Sequence, residues 1–384
     1  MARIIYFTRD YTTHDHRFVT ALAKTEHKVY YLRLERGAHQ LEDRALPAEV
    51  EIVNWAGGRN LARLLDGPSL LASLKRLIRQ IKPDLIQAGP IQRTAFLAAL
   101  SGFHPLISMS WGYDLIHDAQ RNIFWEWATR YTLRRSDLLV GDCNTIRQLA
   151  NSYGMPDERI VTFPWGVDIR HFTPLPAGED SSAEAREGST FTLLSTRGWE
   201  PIYGVDVIAR AFVQAAQQHP ELQLIMLGNG SQAGLLHNIF ERAGLRERVF
   251  FLGQVSQAEL PRLYGMADLY ISASHSDGTS ISLLEAMACG KPVLVSDIPG
   301  NQEWVTAGEN GWLFPDGDSR SLAEAISHAM THRARLPEMG RAARRLAEAR
   351  ADWEKNFQIL LEAYELVFAE PLPGQQSQPA NTSI

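Results

Sequence analysis

The sequence predicts an α/β protein made of two successive parallel sheets, each covered by helices on both faces. Two observations carry that prediction, and a third divides the chain. Short apolar runs alternate with helix-periodic segments, as strand–helix–strand units closing a parallel sheet require. At 384 residues the chain exceeds what one hydrophobic core usually spans, which suggests two or three domains. Between two such series, Leu175–Thr190 holds almost no large apolar side chain and reads as an exposed linker. The expected organisation is residues 1–174 as a first domain, 175–190 as linker and 191–350 as a second domain. An amphipathic final helix over 351–370 and a polar, disordered tail over 371–384 complete it.

In the first series, Ile4–Phe7, Val29–Leu32, Glu51–Val53, Leu85–Gln87, Leu106–Met109, Leu138–Val140 and Ile160–Phe163 read as strands. Leu70, Leu71, Leu74, Leu77, Ile78 and Ile81 fall on one helical face between two of them. Ligands on such sheets bind at the carboxyl ends of strands. The segment after the first strand, Thr8–Arg17, is dense in polar groups, and His14, Asp15 and Arg17 are candidates to recognise a ligand. The other reading is a solvated loop with a capped helix start. A metal at His14 and His16 lacks a following ligand cluster. Ser110–Asp114 follows the fifth strand, and there Trp111 offers a stacking face and one N–H donor, or is a half-buried aromatic. Ile123–Arg135 is aromatic, basic and helical. It packs on the sheet with its arginines reaching out, or lies on a membrane surface.

The second series places strands at Phe191–Ser195, Leu222–Leu227, Val249–Leu252, Leu269–Ser272, Val293–Ser296 and Trp312–Phe314. Arg197 follows the first of them, Gly228 lies in a Gly-x-Gly loop after the second, and Val255 follows the third. Leu322–Arg350 reads as helical. The densest chemistry lies in Ser274–Glu303. Asp277 and Glu285 are carboxylates with seven residues between them, and Ile281–Cys289 is a helical run. Asp277, Thr279 and Ser280 are candidate caps for that helix, and Gly278 admits close backbone approach. Free amides over Gly278–Ile281 and the helix dipole favour an anion such as a diphosphate. Glu285, about one turn in, suits paired sugar hydroxyls. Gly290 and Pro292 end the helix before Val293–Val295.

Composition narrows the class. A net charge of −6 shows no basic excess of the kind nucleic-acid binding needs. Cys143 and Cys289 cannot build a disulfide framework, and neither has metal-ligand neighbours. No apolar run approaches the ~20 residues of a membrane-spanning helix. The apolar start Ile4–Phe7 is too short for a signal peptide. The expectation is a cytoplasmic protein, with peripheral contact at the inner membrane face left open.

Asp277…Glu285-Ala286-Met287-Ala288-Cys289-Gly290-Lys291-Pro292-Val293, followed by Gly300-Asn301-Gln302-Glu303, resembles the donor-sugar site of retaining GT-B glycosyltransferases, in particular family 4, the glycosyl transferases group 1. Asp277 replaces the family's first Glu. Phe163-Pro164-Trp165-Gly166-Val167-Asp168…Phe172-Thr173-Pro174 resembles the signature that closes the family's first domain. The resemblance implies two Rossmann-like domains facing across a cleft, with the C-terminal helix returning to the first. It implies a nucleotide-diphosphate donor, UDP-sugar or GDP-sugar, and no separate cofactor. The acceptor would be a sugar, lipid-linked or small-molecule hydroxyl in cell-surface polysaccharide or glycolipid synthesis.

The resemblance also implies roles. Arg197 and the Gly278, Thr279, Ser280 and Ile281 amides would stabilise the departing diphosphate, with no metal required. Glu285 would hold the ribose and Asp277 the donor-sugar hydroxyls. Gly228 and Val255 would line the nucleotide, and Asp114 keeps the family's acid. His14, Asp15, Arg17 and Trp111 fall on the acceptor side. Two departures stand out: Trp111 occupies the place of a family His, and Tyr203 that of a Lys on the diphosphate. Same-face attack, with the leaving phosphate taking the acceptor's proton, is the expected route. A covalent route through Asp277 or Asp114 is the alternative. Further alternatives are a non-nucleotide donor, a glycoside phosphorylase, and an inactive GT-B subunit binding a sugar nucleotide or partner.

Overall fold

The structure, a computed structural model, describes residues 1–36, 42, 44–59, 61–175 and 190–369. The predicted linker, its two end residues apart, and the predicted tail lie outside the described residues. The chain forms two compact units, Met1–Phe163 with the chain from Phe357 onward, and Pro164–Asn356.

The first unit holds β1 (Arg3–Thr8), β2 (Lys28–Arg33), β3 (Glu51–Ile52), β4 (Leu85–Gly89), β5 (Leu106–Met109), β6 (Leu138–Gly141) and β7 (Ile160–Thr162). They make one parallel sheet in the order β3-β2-β1-β4-β5-β6-β7. Every residue of β4 is buried, so the strand reads as a continuous apolar run and not as an alternation. Helices Thr13–Ala23, Gly67–Ile81, Ile123–Arg135 and Asn144–Ser152 connect strands. The final helix, Trp353–Ala369, also contributes here. Its Phe357, Leu360, Ala363, Tyr364 and Val367 are buried, and the Tyr364 hydroxyl donates to Gln87 Oε1 on β4.

The second unit holds β8 (Phe191–Ser195), β9 (Leu222–Leu227), β10 (Val249–Gly253), β11 (Leu269–Ser272), β12 (Val293–Ser296) and β13 (Gly311–Phe314). This sheet is also parallel, in the order β10-β9-β8-β11-β12-β13. Leu193 and Leu194 enter two different apolar clusters, as do Leu224 and Ile225, because successive strand side chains point to opposite faces. In both sheets the winding reverses beside the first strand, between β1 and β4 and between β8 and β11. Crevices at the carboxyl ends of strands form at such reversals.

The structure departs from expectation where the two units meet in sequence. Residues 164–174, expected to close the first domain, belong to the second unit. Val167 donates its N–H to Ala351 O, Arg344 donates to the Ile169 and Phe172 carbonyls, and Gly166 takes φ +69° where a Cβ would meet Ala351 O at 2.6 Å. The stretch 322–350, expected to be helical, is carried by two helices, Ser319–Thr331 and Leu336–Arg350. Pro337, which has no N–H to donate, starts the second of them.

Candidate active site

In the second unit, the segment after β8 and the segment after β11 meet at the winding reversal. Arg197 follows β8, and its guanidinium sits at the start of helix Ile281–Ala288. Nη2 lies 2.7 Å from Asp277 Oδ2, and Nη1 donates to Ser280 Oγ at 3.0 Å and Ser282 Oγ at 3.3 Å. The Tyr203 ring lies 4.1 Å from Arg197 Cζ, a cation–π contact. Arg197 Nε is buried and has no hydrogen-bond acceptor among the described residues. Burial opposes the guanidinium's charge, but Asp277 and the tyrosines Tyr270, Tyr203 and Tyr264 outweigh it and hold its pKa above the ordinary value.

This arrangement corrects the expected caps. Ser280 is the N-cap residue, yet its side chain makes no capping bond, because its hydroxyl accepts from Arg197 instead. Asp277 spends its charge on Arg197. Gly278, Thr279 and Ser280 are buried, and Ile281 is half-buried. Gly300 presses on this loop, since a Cβ there would lie 2.2 Å from Gly278 O. Gly228, at φ +94°, packs against Arg197, where a Cβ would lie 2.8 Å from Arg197 O. Glu285 is buried and accepts the Tyr264 hydroxyl on Oε2 at 2.9 Å. Val255 is half-buried on the apolar cluster that includes Leu283 and Leu284.

In the first unit the predicted residues separate into two kinds. Asp15 is not a ligand-facing group. It is the buried N3 member of a capping box, taking Thr12 N–H and Oγ1–H on Oδ2 at 2.9 and 2.6 Å and the Tyr6 hydroxyl on Oδ1 at 3.1 Å. Asp114 is likewise turned inward. Ser110 Oγ–H and Leu115 N–H donate to Oδ1 at 2.6 and 3.0 Å, and Ile91 N–H to Oδ2 at 3.0 Å. Burial pushes both carboxyls up to about 6. Asp114, expected in a catalytic role, is thus buried with both carboxylate oxygens engaged. His14 and Trp111 do meet, with ring centroids 5.5 Å apart, and both are half-buried, as is Arg17. Helix Ile123–Arg135 buries Ala128, Thr129, Thr132 and Leu133, while Ile123, Phe124 and Trp127 stay exposed.

Sequence reasoning missed Tyr264, Ser282 and Thr196, which complete the second unit's network. The Tyr264 hydroxyl bonds Thr196 Oγ1 and Ser282 O, both at 3.2 Å. The one available signal was position: Thr196 follows a strand's carboxyl end, and Ser282 lies in the first turn of the site helix. Lys291, the remaining lysine of the motif, is spent on the Gly265 and Ala267 carbonyls at 2.7 and 2.9 Å. Among the described residues, no group of three or more His, Cys, Asp or Glu side chains is placed to hold a metal ion.

Two parallel-sheet units of this kind match the GT-B fold. Residues 12–171 match the family model described as Glycosyltransferase Family 4, and residues 179–346 match that of Glycosyl transferases group 1. The chain belongs to this family of glycosyltransferases. It is 24% identical to the GDP-mannose-dependent alpha-(1-6)-phosphatidylinositol monomannoside mannosyltransferase of Mycolicibacterium smegmatis, over 90% of this chain and 92% of that one. It is 26% identical to a D-inositol 3-phosphate glycosyltransferase of Pseudarthrobacter chlorophenolicus, over 77% and 76%. The fold matches Anabaena HepE, solved in complex with UDP, with a TM-score of 0.75 at 20% identity over 95% of this chain and all of that one.

Proposed function

We propose that the chain transfers a sugar, with retention of anomeric configuration, from a nucleotide-diphosphate sugar to an acceptor hydroxyl. The carrying observation is Arg197. A buried guanidinium with an unused Nε–H, at the start of a helix and at a winding reversal, is a site for a phosphate-borne negative charge. The named donor of the Mycolicibacterium relative, GDP-mannose, and the UDP held by HepE support this donor class.

In the reaction the bond from the sugar's anomeric carbon to the diphosphate oxygen breaks, and its electron pair leaves with the diphosphate. Arg197 and the amides of Gly278–Ile281 stabilise that charge. The acceptor oxygen bonds the anomeric carbon from the same face, and its proton passes to the departing phosphate oxygen. Asp277, released from Arg197 as phosphate replaces it, accepts hydrogen bonds from donor-sugar hydroxyls. Glu285, oriented by Tyr264, holds the ribose. Trp111 and His14 offer the acceptor a stacking face, and Arg17 lies on the same helix as His14. The exposed Ile123, Phe124 and Trp127 support peripheral contact with a membrane, in keeping with a role in glycolipid or polysaccharide synthesis on its inner face.

The test is a thermal-shift and calorimetry panel of UDP, GDP and their sugars against wild type and Arg197→Ala, since a ligand of the native state raises Tm. One nucleotide should bind, and Arg197→Ala should abolish the response. No response from any nucleotide overturns the donor assignment. Binding without turnover moves the chain to an inactive subunit. NMR of the product's anomeric proton reads retention directly.

A further inference from the structure

The carboxyl edge of the first sheet carries a charged cluster that the donor chemistry does not use. Arg9 follows β1, Glu35 follows β2, and Arg93 lies in a π-helical turn, Ile91–Ala95, after β4. These strands are neighbours in the order β2-β1-β4, so the cluster stands at the winding reversal of its sheet, as Arg197 does in the other. Backbone bonds continue the pairing past the strand ends: Leu34 N–H donates to Thr8 O, and Glu35 N–H to Arg9 O. Glu35 is thereby held beside Arg9. Its carboxylate is 2% exposed, yet it serves two arginines, with Arg9 Nε on Oε2 at 3.1 Å and Arg93 Nη1 on Oε1 at 2.9 Å.

A third guanidinium joins them. Arg93 and Arg121 both lie over the Trp125 ring, with Cζ 5.5 and 5.3 Å from its centroid. Asp118 feels the charges of Arg93, Arg121 and Arg9, but burial outweighs them and raises its pKa. The three guanidiniums thus gather around Asp118, and two of them share Glu35. Burial, then the neighbouring charge of Arg9, lowers the pKa of Arg93. One arginine in bidentate contact would satisfy a buried carboxylate that served only the fold. Here Arg93 gives Glu35 one N–H of its five, and its side chain stays 28% exposed.

We propose that Arg9, Arg93 and Arg121 form an anion subsite that binds the phosphate of a phosphorylated acceptor. Glu35 splays Arg9 and Arg93, and Trp125 holds the planes of Arg93 and Arg121. Guanidiniums arriving from three chain segments suit a tetrahedral phosphate better than a planar carboxylate. The inference rests on the transferase reading and names its acceptor class. A lipid headgroup and a free phosphomonoester present the same group.

The full chain is titrated with inorganic phosphate, glycerol 3-phosphate, D-inositol 3-phosphate and unphosphorylated inositol. It is also sedimented with phosphatidylinositol vesicles and with phosphatidylcholine vesicles. At least one phosphate probe should bind ten or more times tighter than inositol, more weakly as salt rises. Preference for the soluble esters or for the phosphatidylinositol vesicles identifies the source. Arg93→Gln should weaken that binding at least tenfold while the nucleotide-induced Tm shift persists. The exposed Arg121→Gln, expected to cost about threefold, keeps the test open if Arg93→Gln does not fold. Failure of every phosphate probe to bind wild type, or wild-type affinity in Arg121→Gln and in a folded Arg93→Gln, overturns the proposal. Phosphate binding with no nucleotide response leaves this subsite standing and overturns the donor reading instead.

Discussion

Both units place an arginine just behind the first strand of the sheet and beside a carboxylate, but the proportions differ. In the second unit one guanidinium meets one carboxylate at 2.7 Å, and the Arg197–Asp277 pair is neutral. In the first, Glu35 is shared between Arg9 and Arg93. On the proposed reading a neutral pair exchanges partners, with an arriving diphosphate taking Arg197 and freeing Asp277 for the donor sugar. A shared carboxylate bridges its two arginines, one on each oxygen. The difference teaches that like positions at a winding reversal can use arginine differently, once with a carboxylate to itself and once sharing one.

The comparison breaks most sharply at Arg197. Arg197→Ala should lower kcat/KM by about 10³-fold, the size expected when a principal stabiliser of leaving-group charge is lost. Turnover within tenfold of wild type would make the Arg197–Asp277 pair a structural one. Glu285→Ala comes next. It should weaken nucleotide binding by about 1.5–3 kcal/mol if the carboxylate holds the ribose. Unchanged calorimetric affinity in a folded variant would confine Glu285 to the Tyr264 network.

Asp15 sharpens the comparison from the first unit, because its carboxyl serves the fold. Its pKa rises from 3.8 to about 6, so the folded state holds the proton more tightly than the unfolded state. The stabilisation is complete below pH 4 and is lost as pH rises through 6. Wild type should therefore lose on the order of 1–3 kcal/mol between pH 4 and pH 7 relative to Asp15→Asn, which can keep the Thr12 cap without titrating. Parallel pH–Tm curves for the two proteins would contradict the assignment. The smallest effect belongs to Tyr203. Tyr203→Phe should leave donor affinity unchanged, whereas Tyr203→Ala should cost about 0.5–2 kcal/mol by releasing the guanidinium from its ring. Equal affinities for all three would show that the ring does not position Arg197.

The thirteen strands among the described residues were legible because parallel strands buried on both faces leave short continuous apolar runs, and a linker with almost no large apolar residue parted the two series. The second unit's site was legible where it is local, since Asp277, Ser280 and Glu285 share one loop and helix start. Tyr264 was not, because nothing near it in sequence marks a tyrosine whose hydroxyl reaches Glu285. Glu35 and Arg93 lie 58 residues apart, and only folding brings them together. Asp15 and Asp114 misled for another reason. A carboxylate just past a strand looks the same in sequence whether it ties down backbone N–H groups or faces a ligand.

The final helix has a consequence for how the protein is made. Tyr364 and its buried neighbours complete the first unit, although that unit's sheet is encoded by residues 3–162. The ribosome must therefore deliver all of Pro164–Asn356 before the earlier unit can close. The later-encoded unit, contiguous in sequence, is the one free to mature first. Stalled nascent chains should show this order: with residues up to 356 outside the exit tunnel, protease protection should cover the second sheet and leave the first one open.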